Sequence, residues 1–440
     1  MNFWNGAADL KVMILGGTVI LLFSIYICMK VYHKKYIFSL YNIGIFTGIF
    51  MVCILPFMYE DKAWLAFGRD SAAPFYNFLN KNAVINLSGI IIFYVVLMIS
   101  EFRRTPSKSV VVRVISKSID VRVIGFIFCT AIAGWYVVVF IYNGTLPLLN
   151  GRRDFYKDSR IANVLYILFS SMIPTLTIYY GLLFCRVKNR KNLVYLLAGS
   201  VTCLFSGNRS DLLMAVAYPM VLVMIYRHGK SRINSTIKIV LGILVILLAG
   251  LAISLFRSQG STNIFSMFQE FVYGNTFSDL RDGAYILYGY DSKFDSYLLG
   301  KTYLAGLMSF IPSFLSDFKR TWGWGYFSTA TLLGMQDHYG LRGGSYCEPY
   351  LNFGYVGVAV AALVQGRWLA YREEVFDQYL EGKNGNFEKK YLAMSVAGPL
   401  FHFMASSNGL RTFYINCLLL VGSSALYRIW IFLSGKHKSE

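Results

Sequence analysis

Charge is scarce in this sequence. Only 15% of its 440 residues are Asp, Glu, Lys or Arg, against 56% hydrophobic, and mean hydropathy is +0.49, a balance no soluble domain of this length carries on its surface. The chain has no glycine loop followed by Lys-Ser/Thr to cradle a nucleotide phosphate and no His-Glu-x-x-His. Its outer connections also lack the Asp-x-Asp that would hold a divalent cation for a nucleotide sugar. Ser206-Gly-Asn-Arg-Ser lacks the second glycine of a nucleophile elbow. The seven cysteines, all but Cys347 in or beside apolar runs, show neither a disulfide framework nor metal-ligand spacing. No basic region or small-residue cleavage site marks the N-terminus, so residues 12–29 are expected to remain as a span. No internal repeat is visible, which argues against a transporter built from inverted halves. Together these absences point to a membrane protein that works without a cofactor or a metal.

What is present is a succession of apolar runs: 12–29, 41–58, 83–99, 123–142, 164–184, 193–205, 212–226, 239–255, 350–369, 391–405 and 412–432. The expected fold is an all-α polytopic bundle of about eleven spans. Residues 1–256 carry eight of them, 257–349 form one large outer loop, and 350–440 hold three spans and a tail. Two neighbouring runs, 193–205 and 212–226, are short for a ~30 Å hydrocarbon core. Their joining turn, Ser206 to Asp211, is therefore expected near membrane depth, facing a wet cavity. Stretches 265–273 and 303–318 of the large loop are amphipathic and read as interfacial helices roofing a cavity. The 17% aromatic content suits interfacial belts.

Alternate connections differ sharply in charge. One set holds 25 basic and 8 acidic residues; the other holds 17 and 15. The positive-inside rule puts the first set in the cytoplasm, the N-terminus and the large loop outside, and the C-terminus inside. The net +19 then needs no nucleic acid: basic loops beside an anionic leaflet explain it.

Ionisable groups near membrane depth on the outer side are the functional candidates. They are Arg209 and Asp211 in the short-helix turn, Arg152, Arg153 and Arg160 after the fourth span, and Arg257, Arg281, Arg320, Arg342, His338 and Glu348 in the large loop. His402 and Arg411 flank the last outer turn. Arginine grips a diphosphate with a planar fork of donors, although a terminal arginine also serves as a headgroup anchor. Glu348 precedes Pro349, which favours an extended conformation there and would aim the carboxylate above the bundle. Arg342, six residues earlier, could hold it ionised as a base. A plain helix-end carboxylate is the competing reading.

Three strings, Asn143-Gly-Thr-Leu-Pro-Leu-Leu-Asn-Gly-Arg-Arg, Phe205-Ser-Gly-Asn-Arg-Ser-Asp-Leu-Leu and Glu348-Pro-Tyr-Leu-Asn-Phe-Gly-Tyr-Val-Gly, occur in an order and spacing that resembles the Wzy-type O-antigen polymerases from about Val123 onward. The resemblance implies a metal-independent glycosyltransferase of the membrane-embedded C class in the bacterial inner membrane. Its substrate would be an undecaprenyl diphosphate-linked oligosaccharide and its surroundings membrane lipids, and such polymerases usually work with a chain-length regulator. Glu348, Arg209 and Asp211 would be catalytic, and the remaining arginines, His338 and His402 would bind diphosphate and sugar. O-antigen ligases share the architecture and often use a loop histidine, for which His338 stands here. A lipid-linked oligosaccharide flippase is the third reading. The orientation has a direct test in a cysteine-free background: an impermeant thiol reagent on intact cells modifies Ser261→Cys and spares Ser107→Cys, and the opposite pattern reverses the topology.

Overall fold

The computed structural model describes residues 9–33, 73–103, 109–147, 159–206, 278–311, 315–335, 340–380 and 387–434. In chain order the helices are α1 (Leu10–Tyr32), α2 (Ala73–Arg103), α3 (Val110–Ser118), α4 (Ile124–Asn143), α5 (Arg160–Val187) and α6 (Arg190–Phe205). They continue with α7 (Asp279–Asp291), α8 (Lys301–Leu307), α9 (Asp317–Trp322), α10 (Cys347–Leu380), α11 (Phe387–His402), α12 (Leu410–Asn416) and α13 (Ser423–Leu433). No strand occurs among the described residues. Helix starts follow local chemistry. The side chains of Ser109, Ser159, Asn189 and Ser316 each accept a backbone N–H of the first turn of α3, α5, α6 and α9, satisfying a donor that the helix leaves orphaned.

Among the described residues six helices are long and apolar enough to cross a membrane: Leu10–Lys30, Phe75–Arg103, Val121–Tyr142, Ile161–Val187, Cys347–Tyr379 and Ser407–Leu433. At 1.5 Å per residue even 21 residues cover about 30 Å. The chain is thus a multi-pass helical membrane protein. Of the other expected spans, 41–58, 212–226 and 239–255 lie outside the described residues. Those at 193–205 and 391–405 are helices of 16 residues each, about 24 Å long. Residues 110–118, read as part of a cytoplasmic loop, fold as the amphipathic helix α3.

Contacts divide the chain into two compact units. One comprises Met1–Lys108, Ser261–Asp377 and Pro399–Arg411; the other Ser109–Gly260, Gln378–Gly398 and Thr412–Glu440. Most of the connection 257–349 therefore belongs to the first unit.

In the first unit α1 and α2 run parallel. Asp9 N–H donates to Asn80 Oδ1 (3.2 Å) at one end, and His33 Nδ1 meets Glu101 Oε1 (2.9 Å) at the other. The end of α1 is tied to α10 by Lys30, whose Nζ lies 2.7 Å from Glu373 Oε2 and 3.4 Å from Asp377 Oδ2. Lys30, Arg103 and Arg372, all in the basic set of connections, thus occupy one end of this unit. α7 packs on α2, where the buried Asn82 Nδ2 donates to Leu280 O (3.2 Å), and the buried Asn86 Nδ2 ties α2 to the Gly343 carbonyl ahead of α10 (3.3 Å).

The second unit runs up and down. α5 is antiparallel to α4 and to α6, and Arg186 near its end forks onto Glu388 of α11 at 2.9 and 3.1 Å. Asp120 N–H donates to Ser424 Oγ (2.9 Å), and Arg428 Nη2 to Lys117 O (2.9 Å), so the first half of α13 joins α3 and the approach to α4. Pro174 inside α5 lacks an N–H. Beside it, Trp135, Ser170, Ile173, Thr202, Cys203 and Ser206 line a small void.

Lys30 is 1% exposed, and a buried charge stripped of its partner is far costlier than the pair is favourable. Lys30→Met is expected to destabilise the protein by about 3–5 kcal/mol, read as a fall in melting temperature in detergent. The triple variant Lys30→Met/Glu373→Gln/Asp377→Asn recovers most of the loss.

Candidate functional site

The expected interfacial helix over 303–318 is broken. Ile311, preceding Pro312, is extended at φ −82° and ψ 130°, as the residue before proline prefers. The chain therefore forms α8, a 3-10 turn Met308–Phe310, and then α9. α8 keeps two faces: Leu304 and Leu307 are exposed, whereas Thr302, Ala305 and Gly306 are buried. A Cβ on Gly306 would lie 2.7 Å from the Ser407 carbonyl oxygen, so only glycine lets α8 lie this close to the turn before α12. The stretch expected at 265–273 lies outside the described residues.

Glu348 sits where α8, α10 and that turn meet. It stands in the first turn of α10 and is 1% exposed. Its Oε1 accepts the Thr302 hydroxyl at 2.7 Å and its Oε2 the Ser407 N–H at 3.0 Å. Asn352 Nδ2 donates to Thr302 Oγ1 (2.8 Å) and to the Glu348 carbonyl (2.9 Å), while its Oδ1 accepts the Gly300 N–H (3.0 Å). The extended carboxylate aimed into open space, expected from Pro349, is not what forms: the helix begins at Cys347 and draws Glu348 inward. Arg342 does not pair with it.

Arg342 instead joins Arg281 at the head of α7. The Arg342 guanidinium Nε lies 3.3 Å from Asp279 Oδ1, its Nη2 donates to Ser278 Oγ (3.2 Å), and its backbone N–H to Asp282 Oδ2 (3.4 Å). Arg281 forks onto Asp282 Oδ1 at 3.0 and 3.2 Å, and Ser278 Oγ donates to Asp282 Oδ2 at 2.7 Å. Burial raises the Asp279 carboxyl above its ordinary range and the Asp282 charge adds to this, while Arg342 opposes it. The Arg342 side chain remains 54% exposed.

A second cationic group lies by the last turn. Arg411 is exposed and forms no ion pair or side-chain hydrogen bond among the described residues. Lys319 points its Nζ at the carbonyl oxygens of Ser309 (3.3 Å) and Ile311. Burial, and then the charge of Arg411, pull the Lys319 ammonium below its ordinary value. Lys301 lies over the Trp322 ring at 4.6 Å. Arg320 is exposed and paired with Asp317 at 2.9 Å. His402 ends α11, and Arg160 opens α5. Arg152, Arg153, Arg209, Asp211, Arg257 and His338 lie outside the described residues.

Sequence reading missed Thr302, Asn352 and Lys319. The Glu-x-x-x-Asn spacing of 348 and 352 is the signal that could have exposed the second, because it puts two polar groups on one face of an apolar helix. No cluster of three His, Cys, Asp or Glu that could hold a metal occurs among the described residues.

The family model for O-antigen polysaccharide polymerase Wzy matches residues 11–381. No curated protein and no solved structure matches the chain significantly. The match begins in α1, runs through the loop carrying α7, α8 and α9, and ends just past α10. The membrane-span pattern and the family model agree, and the chain belongs to the O-antigen polysaccharide polymerase Wzy family.

Proposed function

We propose that this protein polymerises undecaprenyl diphosphate-linked repeat units at the outer face of the bacterial inner membrane. The growing chain leaves its lipid carrier and passes to the non-reducing hydroxyl of a new lipid-linked unit. The family match carries this reading, and the charge of Arg411 beside Lys319, which meets no acid among the described residues, supports it. The leaving group is already a diphosphate, so the chemistry asks for two amphiphiles held in line and cationic donors for the departing charge. Arg411 and the half-exposed Arg342 fit that task among the described residues. Arg209 and Asp211, from the short-helix turn, join them in this proposal.

Glu348 acts in this reading as an orienting group. Both of its oxygens are engaged, and they fix α8 of the outer loop to the start of α10. Glu348→Gln places an amide donor against a donor it must now face, and Thr302→Val removes the other donor. Losing one hydrogen bond to a buried charge costs about 1.5–3 kcal/mol, so both variants are expected to lose polymer and to open the loop to limited proteolysis together. Polymer lost from Glu348→Gln alone, with an unopened loop and active Thr302→Val, would instead make it the acceptor-hydroxyl base.

Deletion of the gene is expected to leave single-repeat caps on lipid A. Uncapped core with long lipid-linked polymer would identify a ligase, and lipid-linked units held on the cytoplasmic side a flippase. In a purified assay Arg411→Ala is expected to lose about 10²–10³ in rate, the usual effect of one removed donor to a developing anion. Arg411→Lys recovers part, keeping the charge without the fork. An unchanged rate in Arg411→Ala removes it from the mechanism.

A further inference from the structure

α10 is not continuous. Phe353 (φ −141°, ψ 15°) and Gly354 (φ 62°, ψ −151°) are non-helical, and the second conformation is one that only glycine adopts readily. The break frees carbonyls, which the loop before α8 takes up: Leu298 N–H donates to Leu351 O (3.0 Å) and Leu299 N–H to Asn352 O (3.1 Å). Tyr297 is thereby held over Gly354, where a Cβ would come 2.8 Å from its hydroxyl. Its ring meets Tyr350 edge-on at 6.3 Å, and Tyr350 meets Tyr355 edge-on at 5.3 Å. Tyr297 is 48% and Tyr355 52% exposed. Next to this corner, the Asp291 carboxylate is within electrostatic reach of the Tyr350 hydroxyl. It is ion-paired to Lys81 at 2.7 Å, and both side chains are partly exposed.

Aromatic rings at a membrane boundary ordinarily form a lipid belt. Two features set this corner apart. The rings are locked by a helix break, two backbone hydrogen bonds and a glycine contact, whereas a belt residue needs only a helix face. An accessible carboxylate–ammonium pair also stands beside them, which suits hydroxyls and repels acyl chains. Apolar ring faces with ionised hydrogen-bonding groups at their edge match a pyranose, whose C–H face is apolar and whose rim is hydroxylated. The locking also lowers the ordering cost of binding.

We propose that Tyr297, Tyr350 and Tyr355, with Asp291 and Lys81, form a carbohydrate subsite that stacks a sugar ring of the lipid-linked repeat unit. The assignment of that sugar to the substrate rests on the polymerase reading above.

The test uses the full chain in nanodiscs. The probe is the repeat-unit oligosaccharide released by mild acid from the host strain's own lipid-linked pool, which carries neither lipid nor phosphate. Saturation-transfer NMR is expected to show transfer from protein aromatic protons to sugar ring protons. Tyr297→Leu and Tyr355→Leu are each expected to weaken binding about three- to tenfold, the value of one aromatic contact, and to raise KM for the acceptor with kcat held. Tyr297→Phe and Tyr355→Phe keep the ring and retain binding, and they control for folding. Leucine variants that bind the probe like wild type, or a wild type that transfers no saturation, overturn the subsite. Wild type that binds the sugar yet joins no lipid-linked units overturns the polymerase reading and leaves the subsite standing.

Discussion

The Glu348 carboxylate is the constraint on which the arrangement of one end of the first unit depends. Burying a charge costs several kcal/mol unless hydrogen bonds replace its water, and no cation does so among the described residues. Hydroxyl and amide donors do instead, and they run in one direction. Gly300 N–H gives to Asn352, Asn352 to Thr302, and Thr302 to Glu348, while Ser407 N–H gives to the other oxygen. Each donor in such a chain polarises the next toward the negative end. The carboxylate therefore collects the loop helix α8, the start of α10 and the turn before α12 around one atom group.

The break at Phe353–Gly354 belongs to the same construction. Non-helical backbone at membrane depth persists only where its polar groups are met, and here the loop residues Leu298 and Leu299 meet them. The string Glu348 to Gly354 thus does three jobs in seven residues: it anchors the loop, ends one helical segment and begins another. The Phe353 ring, turned out by the break, stacks with Tyr303 of α8 at 6.0 Å. Burial and the Glu348 charge push the Tyr303 phenol up from its ordinary value, so it stays a neutral donor, bonded to the Met404 carbonyl at 2.8 Å.

Hydropathy made the six long spans legible, because crossing a membrane demands length and apolarity that show in any window. Family membership was legible from three short strings. The wiring was not. Arg342 lies six residues from Glu348 in sequence, yet it turns to Asp279, more than sixty residues away, because a loop returning to α7 offers a nearer acid than the helix start does. The stretch 303–318 has helical periodicity throughout, but the constraint that Pro312 puts on Ile311 outweighs periodicity. Lys30 reads as an orientation signal at the end of a span. In the fold it is also a buried partner of two acids from α10, a pairing that sequence separation hides.

The described basic residues of the less basic set of connections differ in what neutralises them, and that difference says more than their number does. Arg281, Arg320 and Lys81 each carry an acidic partner within 3.0 Å, so an incoming anion would have to compete with a carboxylate already in place. Arg342 shares Asp279 at a longer 3.3 Å and stays half exposed, and the carboxylate it faces is one that burial makes reluctant to ionise. Among the described residues Lys319 meets carbonyl oxygens and no acid, and Arg411 lies near enough to disfavour its charge. Two cations that repel each other, with no acid between them among the described residues, store unfavourable electrostatic energy that an anion would relieve. Charge compensation, read residue by residue, therefore ranks Arg411 with Lys319 ahead of Arg342, and Arg342 ahead of Arg281 and Arg320, in how little an added anion would have to compete with a carboxylate there.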